Sequence, residues 1–355
     1  MTANSATSSP VTYDDPEYLP RECTFSRSDW QVLARFWFPI ALAKDITDKP
    51  HPVRLLDENL VVFRTSKGCA VAKDLCVHRG SPLSLGWMNG DDIVCPYHGY
   101  RYNFEGQCTL VPSRPDWNIP RKLCLQMFPA VERYGVIWTH LRGEPANVIP
   151  DWDIEWEDKN FRWFTWGPHV WNCSAGRAIE NFIDNAHFSF VHRGSFGQES
   201  SAEMGAEYAL DIDDAGMLMV FDYLAANPED SPIKGASNLQ RTMRRRLTYP
   251  FCTRSHIQYP DGQDHIIHIV IAPVSARRSQ ITFLFSRNFD HHVPVEELLS
   301  WEKRILSEDR GIIEAQKPEE IPLELANEVH VRADKASVAL RKWMIEQGLG
   351  RAFTA

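Results

Sequence analysis

The sequence predicts an α+β protein of two domains, a small antiparallel β domain followed by a larger domain whose antiparallel sheet is flanked by helices. From residue 30 to about 140, short runs rich in Val, Ile and Phe alternate with Gly, Pro and Asp, which is typical of short antiparallel strands. After the Pro-containing segment 142–153, longer strand-like runs are framed by helical patterns. With 355 residues and 43% hydrophobic composition, the chain is long enough to bury the cores of both domains.

The domain boundaries follow from these changes of composition. Residues 1–29, rich in Ser, Pro, Asp and Glu, are predicted to form a flexible tail, 30–149 the first domain and 150–355 the second. The net charge of -9, with basic residues scattered, argues against a nucleic-acid or anionic-membrane partner. We see neither an apolar run of the roughly 20 residues that cross a bilayer nor a secretion signal, so we expect a cytoplasmic protein without a membrane partner.

Individual elements can be placed in order along the chain. In the first domain, strands are predicted in the runs 59–65, 68–74, 90–96 and 133–141. The second domain is predicted to contain a helix over 179–194, strands over 216–224, 265–274 and 279–288, and two helices over 294–316 and 333–344.

Two loops of the first domain each carry one Cys and one His, Cys76 with His78 and Cys95 with His98. Four such ligands in two short loops strongly favour a metal site. Structural zinc sites mostly group their cysteines in pairs, whereas one Cys and one His from each loop suits a [2Fe-2S] cluster with both thiolates on one iron and both imidazoles on the other. A zinc-stabilised binding module is the alternative.

The segment 179–194 combines an apolar helical stripe with polar residues that could bind metal. His192 is out of helical register with His187, but Gly194 is a natural helix stop, so the last turn can unwind and bring the two imidazoles together. Taken alone, two His residues in a helix are more often packing residues. The expected apolar stripe is Ile179, Phe182, Ile183 and Ala186, and the expected polar face is Asn181, Asp184 and His187.

A carboxylate is needed to complete a two-His, one-carboxylate iron site, and the helix over 294–316 offers Asp309. Asp309 falls within an apolar stripe predicted to face the core, whereas Glu308 and Glu314 are predicted to point toward the flank. A buried carboxylate costs several kcal/mol unless a cation compensates it. Iron could do so; the alternative is an Asp paired with Arg or capping a neighbour. The predicted stripe consists of Leu298, Trp301, Ile305 and Ile312.

Taken together, these motifs resemble those of the Rieske non-haem iron oxygenases. The spacing CxH, sixteen residues, CxxHG, with Arg79-Gly80 and Pro96, is similar to their Rieske domain. The run NFIDNAHFSFVH resembles the NxxDxxHxxxxH motif of their catalytic subunits, and EDRGIIEAQ resembles the helix that carries their third iron ligand. One departure is Tyr100, where the family more often has Trp. The resemblance implies an N-terminal Rieske β domain and a C-terminal catalytic domain of helix-grip type.

The resemblance also implies the cofactors and their ligands. It implies one [2Fe-2S] Rieske cluster and one mononuclear non-haem Fe(II) per chain, and a homotrimer with electron transfer between subunits. Asp184 corresponds to the acid that links a Rieske His of a neighbouring subunit to an iron-ligating His, and Asn181 belongs to the same motif. By this resemblance the cluster ligands are Cys76, His78, Cys95 and His98, and the iron ligands are His187, His192 and Asp309.

The implied function is that of the terminal oxygenase in a multicomponent monooxygenase. The chain resembles the vanillate, dicamba and methylxanthine demethylases in its compact length. These enzymes use O2 to hydroxylate or to O- or N-dealkylate small aromatic or heterocyclic compounds. With no GxGxxG motif and no second cysteine cluster, electrons are expected from a separate reductase or ferredoxin. The alternatives are a ring-hydroxylating dioxygenase and a Rieske electron-transfer protein with a ligand-binding domain.

The substrate-binding residues stay unassigned by the sequence. The strands from about residue 217 to 285 are expected to line the cavity. His256, His265 and His268 could each face solvent or satisfy the sheet, so none is assigned to substrate. The arginines Arg241 and 244–246 could bind a substrate carboxylate, but they are expected at the surface.

Overall fold

The computed structural model of the protein describes residues 13, 15–203, 207–225, 239–259 and 262–350. The first half of the chain consists mostly of strands, and the second half contains both strands and helices. In the first half the elements are α1 (Arg27–Leu33), β1 (Phe38–Leu42), β2 (His51–Leu55), β3 (Glu58–Thr65), β4 (Gly68–Lys73), β5 (Trp87–Asn89), β6 (Asp92–Val94), β7 (Arg101–Tyr102), β8 (Cys108–Leu110), β9 (Met127–Phe128), β10 (Ala130–Arg133) and β11 (Val136–Thr139).

The second half contains long strands and the longest helices. Short 3-10 helical turns occur in both halves of the chain, at Ala43–Asp45, Leu83–Leu85, Glu199–Ser201, Leu325–Asn327 and Arg332–Asp334. The elements are α2 (Asp153–Glu157), β12 (Arg162–Trp171), α3 (Ala175–Ile183), α4 (Phe188–Val191), β13 (Ala209–Asp213), β14 (Gly216–Ala225), β15 (Leu239–Thr248), β16 (Cys252–Gln258), β17 (Asp264–Ser275), β18 (Arg278–Arg287), α5 (Val295–Ala315) and α6 (Lys335–Glu346).

Small antiparallel sheets build the first half. Their strand orders are β1-β11-β10, β2-β3-β4-β9 and β5-β6-β7-β8. The predicted run 133–141 is not one strand, because Tyr134 and Gly135 have φ of 57° and 70° and form the turn between β10 and β11. Glycine adopts this left-handed conformation at little cost, so the Tyr-Gly pair is a natural place to reverse the chain. The predicted antiparallel β architecture is confirmed.

A single seven-stranded antiparallel sheet, in the order β12-β18-β17-β16-β15-β14-β13, organises the second half. Helix α3 packs on β16, β17 and β18, and also contacts α5 and α6. The predicted sheet flanked by helices is therefore confirmed. Strand β12 was not predicted; it pairs with β18 at the sheet edge, with a register shift between Trp166 and His169, beside Gly167, whose φ is 113°. Three Trp residues and this interruption obscure its two-residue alternation.

The register of the sheet arranges side chains in rows across β14 to β18. Successive rows on one face are two residues, or roughly 6.6 Å, apart along each strand. The Arg241 row is Tyr223 and Arg241; the His265 row is Phe221, Met243, Ile257, His265 and Arg287; and the Arg245 row is Met219, Arg245, Ser255, Ile267 and Phe285.

The N-terminal segment differs from its prediction. Residues 1–12 and 14 of the predicted tail lie outside the described residues, but 15–29 are packed against the first half of the chain. The side chain of Thr24 donates a hydrogen bond to Asp57 at 2.7 Å, and the Tyr18 hydroxyl donates one to Glu58. Tyr13 is 5% exposed. The aromatic side chains among the Ser and Pro residues supply the apolar surface that orders this segment.

The two halves of the chain contact each other through β1, β2 and β17. Backbone N–H groups of Leu56 and Asp57 donate to the carbonyls of Pro273 and Val274, at 2.8 and 2.9 Å. The boundary at residues 149 and 150 stays a prediction. Within the described residues, no helix is long and apolar enough to cross a membrane.

A buried ionic network fixes α6 against α3. The Arg341 side chain is 2% exposed and donates hydrogen bonds to Glu180 at 2.9 Å and to Glu328 at 2.6 Å. Arg177 pairs with the same two carboxylates, at 3.1 and 2.6 Å. The network therefore ties the start of the helix that precedes the candidate site to the last helix.

We expect Arg341→Gln to lower the free energy of unfolding by about 3 kcal/mol, because it leaves buried carboxylates partly unpaired. Thermal unfolding of the variant would measure the loss. Lys342→Gln, at the exposed neighbouring position, serves as the control and should change the melting temperature little. Equal melting temperatures for the two variants would show that the network adds no stability.

Candidate metal centres and substrate cavity

Helix α3 positions the first part of the larger site. It begins at Ser174, whose hydroxyl accepts the N–H of Arg177 at 3.1 Å, as a helix N-cap does. Of the predicted apolar stripe, Ile179, Phe182 and Ile183 are buried, whereas Ala186 lies beyond the helix and is only half-buried. The stripe packs the helix onto the sheet, so the residues that follow it are held at a fixed place above the strands.

The prediction that Asn181, Asp184 and His187 share one helical face is wrong, because α3 ends at Ile183. Asp184 has an extended backbone, with φ of -80° and ψ of 146°. Its carboxylate accepts the backbone N–H groups of Ala186 and His187 at 3.1 and 3.0 Å. Aspartate competes with the helix backbone in this way. The chain then restarts as the short helix α4.

Three side chains from distant parts of the chain meet at this break. The Nε2 atoms of His187 and His192 each lie 3.4 Å from Oδ1 of Asp309. One ligand atom from each of the three residues lies within 4.8 Å of the others. His192 and Asp309 are 2% and 3% exposed, so water is largely excluded. The proximity of His192 and His187 was expected; it arises because α4 ends at Val191 rather than at Gly194.

Two further carboxylates hold the imidazoles. Asp184 Oδ2 lies 2.7 Å from Nδ1 of His187, and Glu308 Oε2 lies 2.8 Å from Nδ1 of His192. The Ser195 hydroxyl donates to the same Glu308 oxygen at 2.8 Å. Because both Nδ1 atoms have carboxylate partners, both Nε2 atoms remain free to face Asp309. This is the arrangement in which histidines bind metals, and it suits two imidazoles and one carboxylate for iron.

Electrostatics among these side chains favour a cation at this position. Burial lowers the pKa of His187, but hydrogen bonds with Asp184 and Asp309 outweigh this effect and raise it to about 9. Burial alone would raise the pKa of Asp309, yet the hydrogen bonds from the two histidines hold it well below its ordinary value. The surrounding carboxylates therefore stabilise positive charge, which a bound metal would supply.

Asn181 and Glu308 have definite places beside the three residues. The Asn181 amide donates to Asp309 Oδ1 at 3.1 Å, so it fixes the orientation of that carboxylate. Glu308 was predicted to point toward the flank and was missed as a site residue. A helical wheel places Glu308 beside the apolar stripe, but only the fold shows that His192 lies against that side. The stripe itself consists of Leu298, Glu302, Leu306, Asp309 and Ile313; the predicted Ile312 is 53% exposed.

We expect Glu308→Gln to weaken iron retention about 10- to 100-fold, because loss of the carboxylate reduces the basicity and fixed orientation of His192. Iron content after dialysis against a chelator would measure the effect. Glu314→Gln is the matched control, since Glu314 lies on the same helix and binds Arg310 and the Asn172 N–H. Equal iron retention in both variants would remove Glu308 from the site.

A cavity opens beside the three residues, between α5 and the sheet. The volume of the cavity is about 110 Å³. Its walls are mostly apolar, with a few polar groups, as small-molecule sites usually are. Phe188, Phe196, Ile257, Ile269, Phe285 and Leu306 form much of the apolar wall.

The expectation that Arg241 and residues 244–246 lie at the surface is wrong for two of the four. Arg241 and Arg245 are 6% and 4% exposed and line the cavity, because alternate residues of β15 face the helices. Arg244 is exposed, and Arg246 pairs with Asp213 at 2.6 Å. Sequence alone could not say which alternate residues of β15 face inward.

The three unassigned histidines also have distinct places. His265 is buried and lines the cavity, whereas His268 faces the other side of the sheet, between Trp152 and Trp163. His256 Nε2 lies 2.7 Å from Asp264 Oδ1. Only His265 is therefore placed to reach a substrate.

The second candidate centre lies at the tips of two loops in the first half. Each loop turns back on itself, with the Gly80 N–H donating to Cys76 O at 2.9 Å and the Gly99 N–H to Cys95 O at 3.0 Å. Gly80 and Gly99 have φ of 74° and 71°, which any side chain would strain. These paired turns place one Cys and one His of each loop side by side.

The four predicted cluster residues fit a [2Fe-2S] group. Cys76 and Cys95 are each 1% exposed, and their thiols contact each other. The rings of His78 and His98 are 4.6 Å apart, with His98 exposed. The buried Nδ1 of His78 has no hydrogen-bond partner within the described part of the chain, which is costly for a polar atom unless it binds a metal. Tyr100 stacks on His78, with planes 5° apart.

Comparison with known proteins agrees with both centres. Residues 36–129 match the family model of the Rieske [2Fe-2S] domain, and residues 171–347 match that of the vanillate O-demethylase oxygenase C-terminal domain. Methylxanthine N1-demethylase NdmA of Pseudomonas putida is 31% identical over 330 residues, which cover 89% of each chain. A solved structure of NdmA superposes with a TM-score of 0.78 at 29% identity, covering 90% of this chain and 92% of that one.

A further relative has a chemically different substrate in its name. It is the putative toluene-4-sulfonate monooxygenase iron-sulfur subunit TsaM2 of Comamonas testosteroni, 29% identical over 310 residues, or 79% of this chain and 87% of that one. The pairing of a Rieske domain with an oxygenase domain is not that of a zinc-stabilised binding module or of an electron carrier that merely binds a ligand.

Proposed function

This chain belongs to the Rieske non-haem iron oxygenases, and we propose that it is a terminal monooxygenase that demethylates a small aromatic or heterocyclic compound at oxygen or nitrogen. The observation that carries this proposal is the meeting of His187, His192 and Asp309 at one end of an apolar cavity. Demethylation is supported by relatives whose names include methylxanthine and vanillate demethylases.

The residues would hold two metal groups. His187, His192 and Asp309 would bind the mononuclear iron, and Cys76, His78, Cys95 and His98 the cluster. When bound, iron supplies O2 activation and the cluster supplies stored electrons. In the overall reaction one substrate, one O2, two electrons and two protons give one hydroxylated methyl product and one water. The hydroxylated methyl then leaves as formaldehyde, and its former heteroatom keeps a proton.

The protein residues bind, orient and exclude water around this reaction. Asp184 and Glu308 keep the imidazoles in the orientation that presents Nε2, and Asn181 keeps the Asp309 carboxylate turned toward them. The aromatic side chains of Phe188 and Phe196 pack beside His192 and shield the site from solvent. A dry, fixed site favours oxygen insertion over the release of reduced oxygen to solvent.

Electron entry is proposed to come from another subunit of a homotrimer. The Asp184 side chain is 28% exposed and lines a surface groove with Tyr208 and His330, on the side of His187 away from the substrate cavity. A Rieske His of a neighbouring subunit could reach the carboxylate there. Around the loop tips, exposed apolar side chains offer a surface for that subunit; they are Leu75, Val77, Leu85, Trp87 and Tyr97.

The electrons are proposed to come from a separate reductase or ferredoxin, consistent with a cytoplasmic enzyme. A ring-hydroxylating dioxygenase is the second candidate, since it would use the same two centres. Formation of a cis-diol that keeps both atoms of O2 would identify it.

The proposed function is tested with anaerobically purified protein loaded with iron and reduced through a surrogate reductase. Metal analysis should give about three irons per chain, and the reduced protein should give a Rieske EPR signal. At least one of a set of candidate substrates that includes caffeine, vanillate and 4-methoxybenzoate should release one formaldehyde per O2 consumed. Zinc without an EPR signal, or two irons that ferrous iron cannot supplement, would contradict the proposal.

A further inference from the structure

Arg241 is a buried cation that the described residues of the protein pair incompletely. It lies on β15, its side chain lines the cavity, and the residue is 6% exposed. Its Nε has no hydrogen-bond partner within the described residues. The guanidinium lies 4.9 Å from the centre of the Tyr259 ring and donates a hydrogen bond to Tyr223. Its described neighbours therefore include two phenols and the His265 imidazole, and among the described residues no carboxylate forms an ion pair with it.

Other buried arginines in the described part of the chain have carboxylate partners or several hydrogen bonds, although the Nε of Arg287 also lacks a partner there. Arg287 pairs with Glu302 at 3.1 Å, and Arg341 pairs with Glu180 and Glu328. Arg245 donates to Asn185 Oδ1 at 2.6 Å and to Ser255 Oγ at 2.9 Å. An uncompensated buried charge costs several kcal/mol. Arg241 is thus the cavity arginine with the fewest hydrogen-bond partners among the described residues.

Of the two described carboxylates that line the cavity, Asp309 faces the two histidines and Glu302 has a partner of its own. Glu302 lies within one helix turn of Leu306 and is already bound by Arg287. Burial raises the pKa of Glu302 to about 7, and Arg287 is the charged group that opposes the rise. Glu302 therefore belongs to the Arg287 pair of the His265 row, one row away from Arg241.

The position of Arg241 sets where an anion would bind. Arg245, on the same face of β15, donates to the Asp184 carbonyl at 3.3 Å and so marks the metal end of the cavity. Arg241 is four residues, or about 13 Å, farther along the strand. An anion at Arg241 would therefore occupy the end of the cavity away from His187, His192 and Asp309.

We propose that Arg241 binds an oxyanion substituent, a carboxylate or a sulfonate, on the aromatic substrate, and so orients the methyl group at the opposite end toward the iron ligands. This inference rests on the proposed function, since it names the class of compound that the monooxygenase accepts. A guanidinium presents parallel N–H donors that match two oxygens of one anionic group. A neutral ligand would bury the cation further without compensating it.

Binding without turnover tests this proposal. Isothermal titration of oxidised, iron-loaded protein, without reductant, would use 4-methoxybenzoate, 4-methoxybenzenesulfonate and the neutral isostere 4-methoxybenzamide. One of the two anions should bind at least about 30-fold more tightly than the amide, and their order identifies the preferred oxyanion. Arg241→Gln should remove this preference. Arg244→Gln is the matched control, because Arg244 is exposed on the opposite face of the same strand.

Equal binding of the amide and both anions, or no binding of either anion, would overturn the proposal. If Arg241→Gln does not fold, the wild-type comparison and the charge-retaining Arg241→Lys still decide it. The two hypotheses fail separately. Anion binding that depends on Arg241 but yields no formaldehyde on reduction contradicts the demethylase function alone. Demethylation of neutral substrates without an anion preference contradicts the role of Arg241 alone.

Discussion

His187→Ala and Asp309→Ala should each lower formaldehyde release at least roughly 1,000-fold, because each removes a proposed iron ligand and with it several kcal/mol of metal-based stabilisation. The reduced Rieske EPR signal should be unchanged, since Cys76 and His78 lie in the other half of the chain. Iron should fall from about three to about two per chain. Activity and metal content measured on the same samples would check both expectations.

The matched control for this pair is His256→Ala. His256 lies on the same sheet and binds Asp264, on the strand face opposite the cavity. It should retain iron and activity. Full turnover by either ligand variant would exclude the proposed triad, and loss of the Rieske signal would show that the substitution disrupts the whole protein rather than one site.

Asp184→Asn should lower turnover driven by the reductase by about 100-fold, because the amide cannot replace the charged group that binds His187 and is proposed to bind a Rieske His of a neighbouring subunit. Ala186 and His187 donate their N–H groups to different oxygens of Asp184, and the amide oxygen can still accept one of them, so most of the turn after α3 should persist. The cluster should reduce normally and the iron content should remain near that of the wild type.

Hydrogen peroxide separates electron transfer from damage to the iron site. Peroxide brings the oxygen atom and both reducing equivalents, so one peroxide and one substrate can give the hydroxylated product and water without the cluster. Asp184→Asn should retain most peroxide-driven demethylation while losing the reductase-driven reaction. Equal loss of both reactions would assign Asp184 to holding His187 alone, and normal reductase-driven turnover would remove the bridging role.

Local sequence patterns predicted the fold class and identified the candidate metal-binding residues. The Cys–His loops could be recognised as a metal site because each loop carries its Cys and its His within a few residues of each other. Asp309 could be read because it interrupts an apolar helical stripe. In both cases the informative contacts are close in sequence or repeat with the period of a helix.

The features that sequence missed depend on contacts between distant segments. Glu308 binds His192 across 116 residues, and no helical pattern reveals that partner. The end of α3 at Ile183 results from hydrogen bonds of the Asp184 side chain, which compete with a strong helical periodicity. Arg241 and Arg245 were placed outside because a basic run is usually solvated, whereas here the alternation of β15 turns them toward the cavity.

The rows across the sheet have a consequence for how this cavity could acquire new substrates. The proposed metal ligands come from α5 and the segment after α3, while side chains of β14 to β18 line the cavity in which a substrate would bind. Swapping the residues at two neighbouring inward-facing positions of one strand moves a charge or a bulky group by roughly 6.6 Å. It changes none of the proposed iron ligands. Substitutions in the sheet could therefore change substrate selectivity one row at a time, while the residues at the proposed iron site stay the same.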